Sequence, residues 1–279
     1  MKIHGRIIIY GEYLMRENEQ GLIIPSNLYL ETTDKKDYKS IYNKELDKVL
    51  EILKNKGIIS PHTIIGNLPL GYGFAGSTVL SLLHLSHLEN TTTKKAIINE
   101  IDAEMHGFMP SGIDFESCFR QQWGLFCNKF GWQSLKPFSI NYSLIIFPKE
   151  GKMPLNIIQK RMLSAKNLLV PIQKELNKIV IRDNIINLEL LMRYSQVLSS
   201  IGIYSEVANN FINNLLQNGF IAKCTGGLYD KAVIVIYESN NIDDYFFIEK
   251  LVSVSSGTIV ANFSSNFTEI NKNIQEYGT

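Results

Sequence analysis

The stretch Asn67-Leu-Pro-Leu-Gly-Tyr-Gly-Phe-Ala-Gly-Ser-Thr78 places three glycines and an alanine within six residues, from Gly71 to Gly76. A strand-like run, Thr63-Ile-Ile-Gly-Asn67, precedes it. A helical pattern follows, with Val79, Leu82, Leu83, Leu85 and Leu88 at spacings of three and four. A bend of small residues that opens a helix leaves backbone N–H groups unpaired and aimed outward, and the helix dipole adds partial positive charge at the same point. Such a bend can cradle phosphate. Ser77 and Thr78 stand where the helix begins, so a hydroxyl there can cap the helix or hold a metal ion. Taken alone, the bend reads equally as an ordinary strand-to-helix turn; the rest of the chain decides between the two.

The totals narrow the choice. A chain of 279 residues makes one large or two modest domains, and 45% apolar residues fits a globular protein with a sizeable core. Twenty-eight basic against 27 acidic residues, a net charge of +1, gives no footprint for nucleic acid and no polybasic membrane patch. Lys35-Lys36 and Lys94-Lys95 read as solvated faces. Cys118, Cys127 and Cys224 are scattered, odd in number and without metal spacing, which points to reduced thiols in a cytoplasmic protein. Ile7-Ile-Ile-Tyr10 is too short for a signal peptide, and no run approaches the roughly 18 apolar residues of a membrane span.

Along the chain, Ile3 to Tyr10 reads as a strand buried on both faces. Leu22-Ile-Ile-Pro25 starts a second strand, and Asn27 to Thr33 alternates as a half-exposed one. Ile41 to Lys56 has helical spacing and stops at Gly57. Ala96 to Met105 is a helix with Asp102 and Glu104 near its C-terminal end, where the macrodipole disfavours carboxylates; alone, each is a surface acid without a role. Pro110 and Gly112 force a turn, Ser111 can cap the helix Ile113 to Gln121, and Asp114 falls in its first turn, where an acid is favoured for stability alone. Trp123 to Asn128 and Tyr142 to Phe147 read as strands joined by a Gly131-Trp132 turn. Pro148 to Pro154 is the best boundary, dividing the chain into domains 1–148 and 149–279. After it, Leu155 to Val180, Ile185 to Ile201 and Glu206 to Gln217 are mostly helical, separated by Pro171, Asp183-Asn184 and Gly202. Ala232 to Tyr237 is a strongly apolar strand, Asp243 to Val252 a helix and Thr258 to Phe263 a last strand. The tail from Ser264 is polar. The class is α+β.

Four stretches, in order over nearly the whole chain, together resemble the GHMP kinases, the family of galactokinase, homoserine kinase, mevalonate kinase and phosphomevalonate kinase. Gly5-Arg-Ile-Ile-Ile-Tyr-Gly-Glu-Tyr13 resembles the opening G-[KR]-x-x-L-x-G-E-[HY]. Pro69 to Thr78 resembles the P-x-G-x-G-L-G-S-S-A loop, with Ala75 and Gly76 in place of the usual Gly and first Ser. His106-Gly-Phe-Met-Pro-Ser-Gly-Ile-Asp114 resembles H-G-x-P-S-G-x-D with one extra residue. Lys223-Cys-Thr-Gly-Gly227 resembles the start of K-x-T-G-A-G-G-G-G, but Leu228, Tyr229, Asp230 and Lys231 stand where glycines are expected.

The resemblance implies a two-domain fold, an N-terminal domain like ribosomal protein S5 domain 2 and a C-terminal ferredoxin-like α/β plait. It implies ATP-dependent phosphorylation of an alcohol on a small molecule, with ATP and magnesium as cofactors, no nucleic-acid or membrane partner, and a homodimer left open. Pro69, Gly71, Gly73, Ala75, Gly76, Ser77 and Thr78 would bind ATP. Ser77 would be a magnesium ligand together with Asp102 or, given the extra residue before Asp114, Glu104. Asp114 resembles the base that takes the acceptor's proton, and Arg6 the cation that keeps it charged and oriented. Glu12, Tyr13, Ser111, Gly112, Thr225 and Gly226 would face the acceptor. Gly-Glu-Tyr13 followed by Gly21-Leu-Ile-Ile-Pro25 looks closer to mevalonate and phosphomevalonate kinases, while Arg6 looks closer to galactokinases. The acceptor is therefore expected to be mevalonate-like, with a sugar or sugar phosphate as the alternative. A non-catalytic nucleotide- or metabolite-binding protein on the same fold is the rival from another class, and the altered fourth motif is its evidence.

Overall fold

A computed structural model describes residues 1–12, 14–33, 44–58, 63–107, 110–147, 154–225, 232–237, 242–255 and 257–263. Tyr13, Gly226, Leu228 to Lys231, the start of the helix expected from Ile41, most of the Pro148–Pro154 stretch and the tail from Ser264 lie outside them.

Two antiparallel sheets carry the molecule. Lys2–Tyr10 (β1) pairs with Gly21–Thr33 (β2), and the single-turn 3₁₀ segment Leu14–Glu17 lies between them. The helix Lys44–Asn55 (α1) follows, and then Thr63–Gly66 (β3), which pairs with the far end of β2. Three helices come next: Gly76–His84 (α2), Thr91–His106 (α3) and Ile113–Arg120 (α4). The hairpin of Gly124–Cys127 (β4) and Gly131–Ser134 (β5) completes the first sheet, in the order β1-β2-β4-β5 with β3 also on β2.

Asn141–Ile146 (β6) opens the second sheet. Leu155–Ser164 (α5), Lys166–Asp183 (α6), Leu188–Ser200 (α7) and Glu206–Gln217 (α8) lead to Ile221–Cys224 (β7) and Ala232–Tyr237 (β8). Ile242–Val254 (α9) and Thr258–Phe263 (β9) follow. The order β7-β8-β6-β9, antiparallel throughout, is that of the expected ferredoxin-like plait. One continuous apolar core runs through both halves, from Ile3 and Ile7 to Val235 and Ile248. β1 is buried on both faces, as its composition dictates: Ile7 and Ile9 join this core, and Ile8 packs with Met15, Ile23, Ile113 and Phe126 on the other side.

Several local readings are corrected. β2 runs through Pro25 as one strand; Pro25 lies opposite Arg6, whose N–H turns outward to Phe74 O, so the pair makes no ladder hydrogen bond. Pro171 lies inside α6; the break comes earlier, at Ala165. Gly131-Trp132 is not the link to the strand at Tyr142 but the start of β5, folded back on β4, with the Trp132 ring seated where a side chain at Gly124 would stand. Ser111 does not cap α4; Gly112, at φ 78°, occupies that position without a side-chain cap. β6 precedes the Pro148–Pro154 stretch and belongs to the second sheet.

Candidate functional site

The bend from Pro69 to Ala75 is fixed to the sheet at both ends. The backbone N–H groups of Asn67 and Leu68 donate to Tyr29 O at 3.0 and 3.1 Å, and Asn67 Oδ1 accepts from Tyr29 N at 2.9 Å. At the other end Arg6 N donates to Phe74 O at 3.2 Å. That approach requires Gly5: a Cβ there would stand 2.5 Å from Leu68 Cδ1 and 2.8 Å from Phe74 O. Gly71 and Gly73 take φ values of 79° and 83°, and Ala75, the N-cap of α2, takes φ 63°. No side chain caps α2. Its first-turn N–H groups therefore lack an intrahelical acceptor, which is the arrangement an anion fits.

Arg6 joins this bend to Asp114. Its Nε donates to Asp114 Oδ1, and its Nη1 donates to Gly73 O at 3.2 Å. Arg6 is 6% exposed while Asp114 is 28% exposed, so the carboxylate keeps an open side and the guanidinium does not. Burial works against the charge on Arg6, but the adjoining carboxylate more than offsets it and holds the guanidinium above its usual pKa. The elements that set this geometry are β1, which carries Arg6, the bend, and the N-terminal turn of α4, which carries Asp114.

Behind the bend lies a second acid. Asp102, on α3, is 3% exposed. Ser77 Oγ donates to its Oδ1 at 2.8 Å and Thr78 Oγ1 to its Oδ2 at 2.9 Å. Burial first, and then the charge of Asp114, push Asp102 up to about 7, against the two hydroxyl bonds and the charge of Arg6. Of the two carboxylates expected near the C-terminal end of α3, Asp102 meets Ser77 and Glu104 is exposed. A buried carboxylate and an adjoining hydroxyl are the hard oxygen donors that magnesium prefers. Thr78 is fully buried with its hydroxyl turned to Asp102, a contact the sequence pattern did not anticipate.

The acceptor-facing set is only partly brought together. Gly112 and Ser111 lie at the entrance to α4 beside Asp114. Glu12 is 4% exposed, and its Oε1 accepts from the buried ammonium of Lys223; its Oε2 has no partner among the described residues. Thr225 is fully buried, and its Oγ1 accepts from Ile8 N at 3.2 Å. Lys223 is the residue that sequence reasoning left without a role. The signal was available: a lysine in the apolar strand Ile221-Ala-Lys-Cys224 must find a counter-charge.

No family model matches the sequence, and no curated protein matches it significantly. Solved structures do match its fold. The mevalonate kinase of Methanococcus jannaschii superposes with a TM-score of 0.68 at 15% identity, over 94% of this chain and 96% of that one. The phosphomevalonate kinase of Streptococcus pneumoniae gives 0.64 at 14% identity, over 95% and 98%. The galactokinase of Lactococcus lactis, complexed with galactose, gives 0.58 at 11% identity, over 94% and 93%. The fold is that of the GHMP kinases over nearly the whole chain.

Proposed function

We propose that the protein is an ATP-dependent kinase that phosphorylates an alcohol on a small molecule. The observation that carries the reading is Arg6: one guanidinium binds both the Asp114 carboxylate and the carbonyl of Gly73 in the bend. It thereby sets an acid with one open side across from the uncapped start of α2. Phosphoryl transfer asks mainly for positioning and for neutralised charge. The N–H groups at the start of α2 and in the Gly71–Gly76 bend would hold the triphosphate. Asp114 would accept the proton of the acceptor hydroxyl as its oxygen bonds to the γ-phosphorus and the bond to ADP breaks. Arg6 would hold that carboxylate in place and stabilise charge on the phosphoryl oxygens in transit. A magnesium ion held by Ser77 and Asp102 would neutralise phosphate charge.

A mevalonate-like acceptor is the finer reading. Support comes from the Gly-Glu-Tyr13 motif and from the TM-scores of 0.68 and 0.64 with a mevalonate kinase and a phosphomevalonate kinase, against 0.58 with a galactokinase. A solved phosphomevalonate kinase carrying phosphomevalonate and AMPPNP shows the same fold beside both kinds of ligand. The test is turnover of ATP with magnesium, with mevalonate and galactose side by side. Asp114→Asn is expected to slow turnover by about 10²- to 10⁴-fold while nucleotide binding persists. A variant as active as the parent removes Asp114 as the base, and a parent that phosphorylates neither alcohol removes the mevalonate-like reading.

A further inference from the structure

The outer edge of β1 faces away from β2, and two different parts of the molecule bind it. At Arg6 the partner is the bend, through Phe74 O. At Ile8 it is the second half, through both backbone groups: Ile8 N donates to Thr225 Oγ1 at 3.2 Å, and Lys223 Nζ donates to Ile8 O at 3.1 Å. The grip continues along the chain. Tyr10 Oη donates to Asn177 Oδ1 at 2.9 Å on α6, and Gly11 N donates to Tyr194 Oη at 3.0 Å on α7. Gln173 Nε2 and Asn177 Nδ2 both donate to Gln20 O, at 2.7 and 2.9 Å.

The inner edge of β1 is weakest where Arg6 sits. The β1–β2 register shifts between His4 and Arg6 and again between Ile8 and Tyr10, leaving Arg6 to Ile8 as a short in-register segment between two irregularities. Within it the N–H of Arg6 and both backbone groups of Ile8 point away from β2, so the Arg6–Pro25 pair adds no ladder hydrogen bond. The ladder therefore underdetermines the position of the residue that holds Asp114.

We propose that Lys223 and Thr225 are positioning residues: by binding both backbone groups of Ile8 they fix the segment that carries Arg6, and so make the second half part of the reacting arrangement. The inference rests on the reading of Arg6 and Asp114 as the reacting pair. It also gives a use to the Lys223-Cys-Thr225 stretch that survives the altered residues after it.

Thr225→Val keeps the shape and removes the acceptor; Thr225→Ser keeps the acceptor. Both are compared with the full-length parent at equal folded fraction, by amide hydrogen exchange and by ATP turnover with mevalonate or galactose. In the valine variant the amides of Ile8 and Arg6 are both expected to exchange about tenfold faster. Its kcat is expected to fall by roughly tenfold, with about 10²-fold the most a small misplacement yields, and its KM for ATP to stay within about twofold. Serine is expected to restore both readouts. An Arg6 amide that stays protected in the valine variant, or a parental kcat, overturns the proposal. If the parent phosphorylates neither alcohol, the mevalonate-like reading falls separately and the Arg6 amide alone decides.

Discussion

The first twelve residues carry two ion pairs that share a chemistry and differ in what they leave open. Arg6 with Asp114 sits at the bend, and Asp114 keeps 28% of its side chain exposed. Glu12 with Lys223 sits between the halves at 4% and 0%. All three protons of the Lys223 ammonium are used, on Glu12 Oε1, Ile8 O and Cys224 O. The first pair leaves its acid one open side; the second is closed around its own chain. On the proposed function, exposure of the acid, rather than the presence of an ion pair, would separate a reacting group from a fastening one.

The largest effect is expected at the closed pair. Lys223→Met leaves the Glu12 carboxylate buried without a counter-charge, which costs about 3–5 kcal/mol when one partner of a sealed pair is removed. Adding Glu12→Gln removes the stranded charge and is expected to recover much of that loss. Denaturant midpoints of the parent, the single and the double variant measure both numbers. A single variant that loses under about 1 kcal/mol would show that water reaches Glu12, and the contrast between the pairs would collapse.

The open pair has a neighbour that makes stability depend on pH. Asp102 is pushed up to about 7, above its ordinary value, by burial and by the charge of Asp114; Arg6 and the hydroxyls of Ser77 and Thr78 face it and pull the other way. A carboxyl with a raised folded-state pKa binds a proton in the native chain that the unfolded chain has already released. Its contribution is therefore fully present below about pH 4 and is lost as the pH rises through about 7. The stability difference between parent and Asp102→Asn is expected to shift against the parent across that window, by about 1.4 kcal/mol for each pKa unit of separation. A difference that stays flat between about pH 5 and pH 8 would mean that Asp102 holds its charge as an exposed acid does.

The two pairs also differ in how far the sequence disclosed them. Asp114, Ser77 and the bend were legible because their chemistry is local: small residues, a turn and a helix start fall within a few positions of one another. β1 and the strand Thr258–Phe263 were legible from apolar runs, and the plait only from the family resemblance. The role of Lys223 was not legible, because its three acceptors are Ile8, Glu12 and Cys224, two of them some 210 residues away. The choice between Asp102 and Glu104 was open for the same reason: only packing α3 against α2 turns one acid inward. Pro171 misled because a proline in the second turn of α6 removes one ladder hydrogen bond without ending the helix.

The smallest effect is expected at Ala75, which holds a left-handed conformation at φ 63°, ψ 37° at the junction of bend and helix. A residue with a Cβ is strained there by about 1–2 kcal/mol. Ala75→Gly relieves that strain but frees the unfolded chain, at a cost of about 0.4–1 kcal/mol. It also gives up a nearly buried methyl, worth about 0.8 kcal/mol. The terms nearly cancel, so the denaturant midpoint is expected to move by less than about 1 kcal/mol. A loss above about 2 kcal/mol would make the Ala75 methyl a packing element of the bend. Phe74 O and Gly73 O, the acceptors that hold Arg6, would then owe their position to that methyl, and the open pair would depend on local packing as heavily as the closed one.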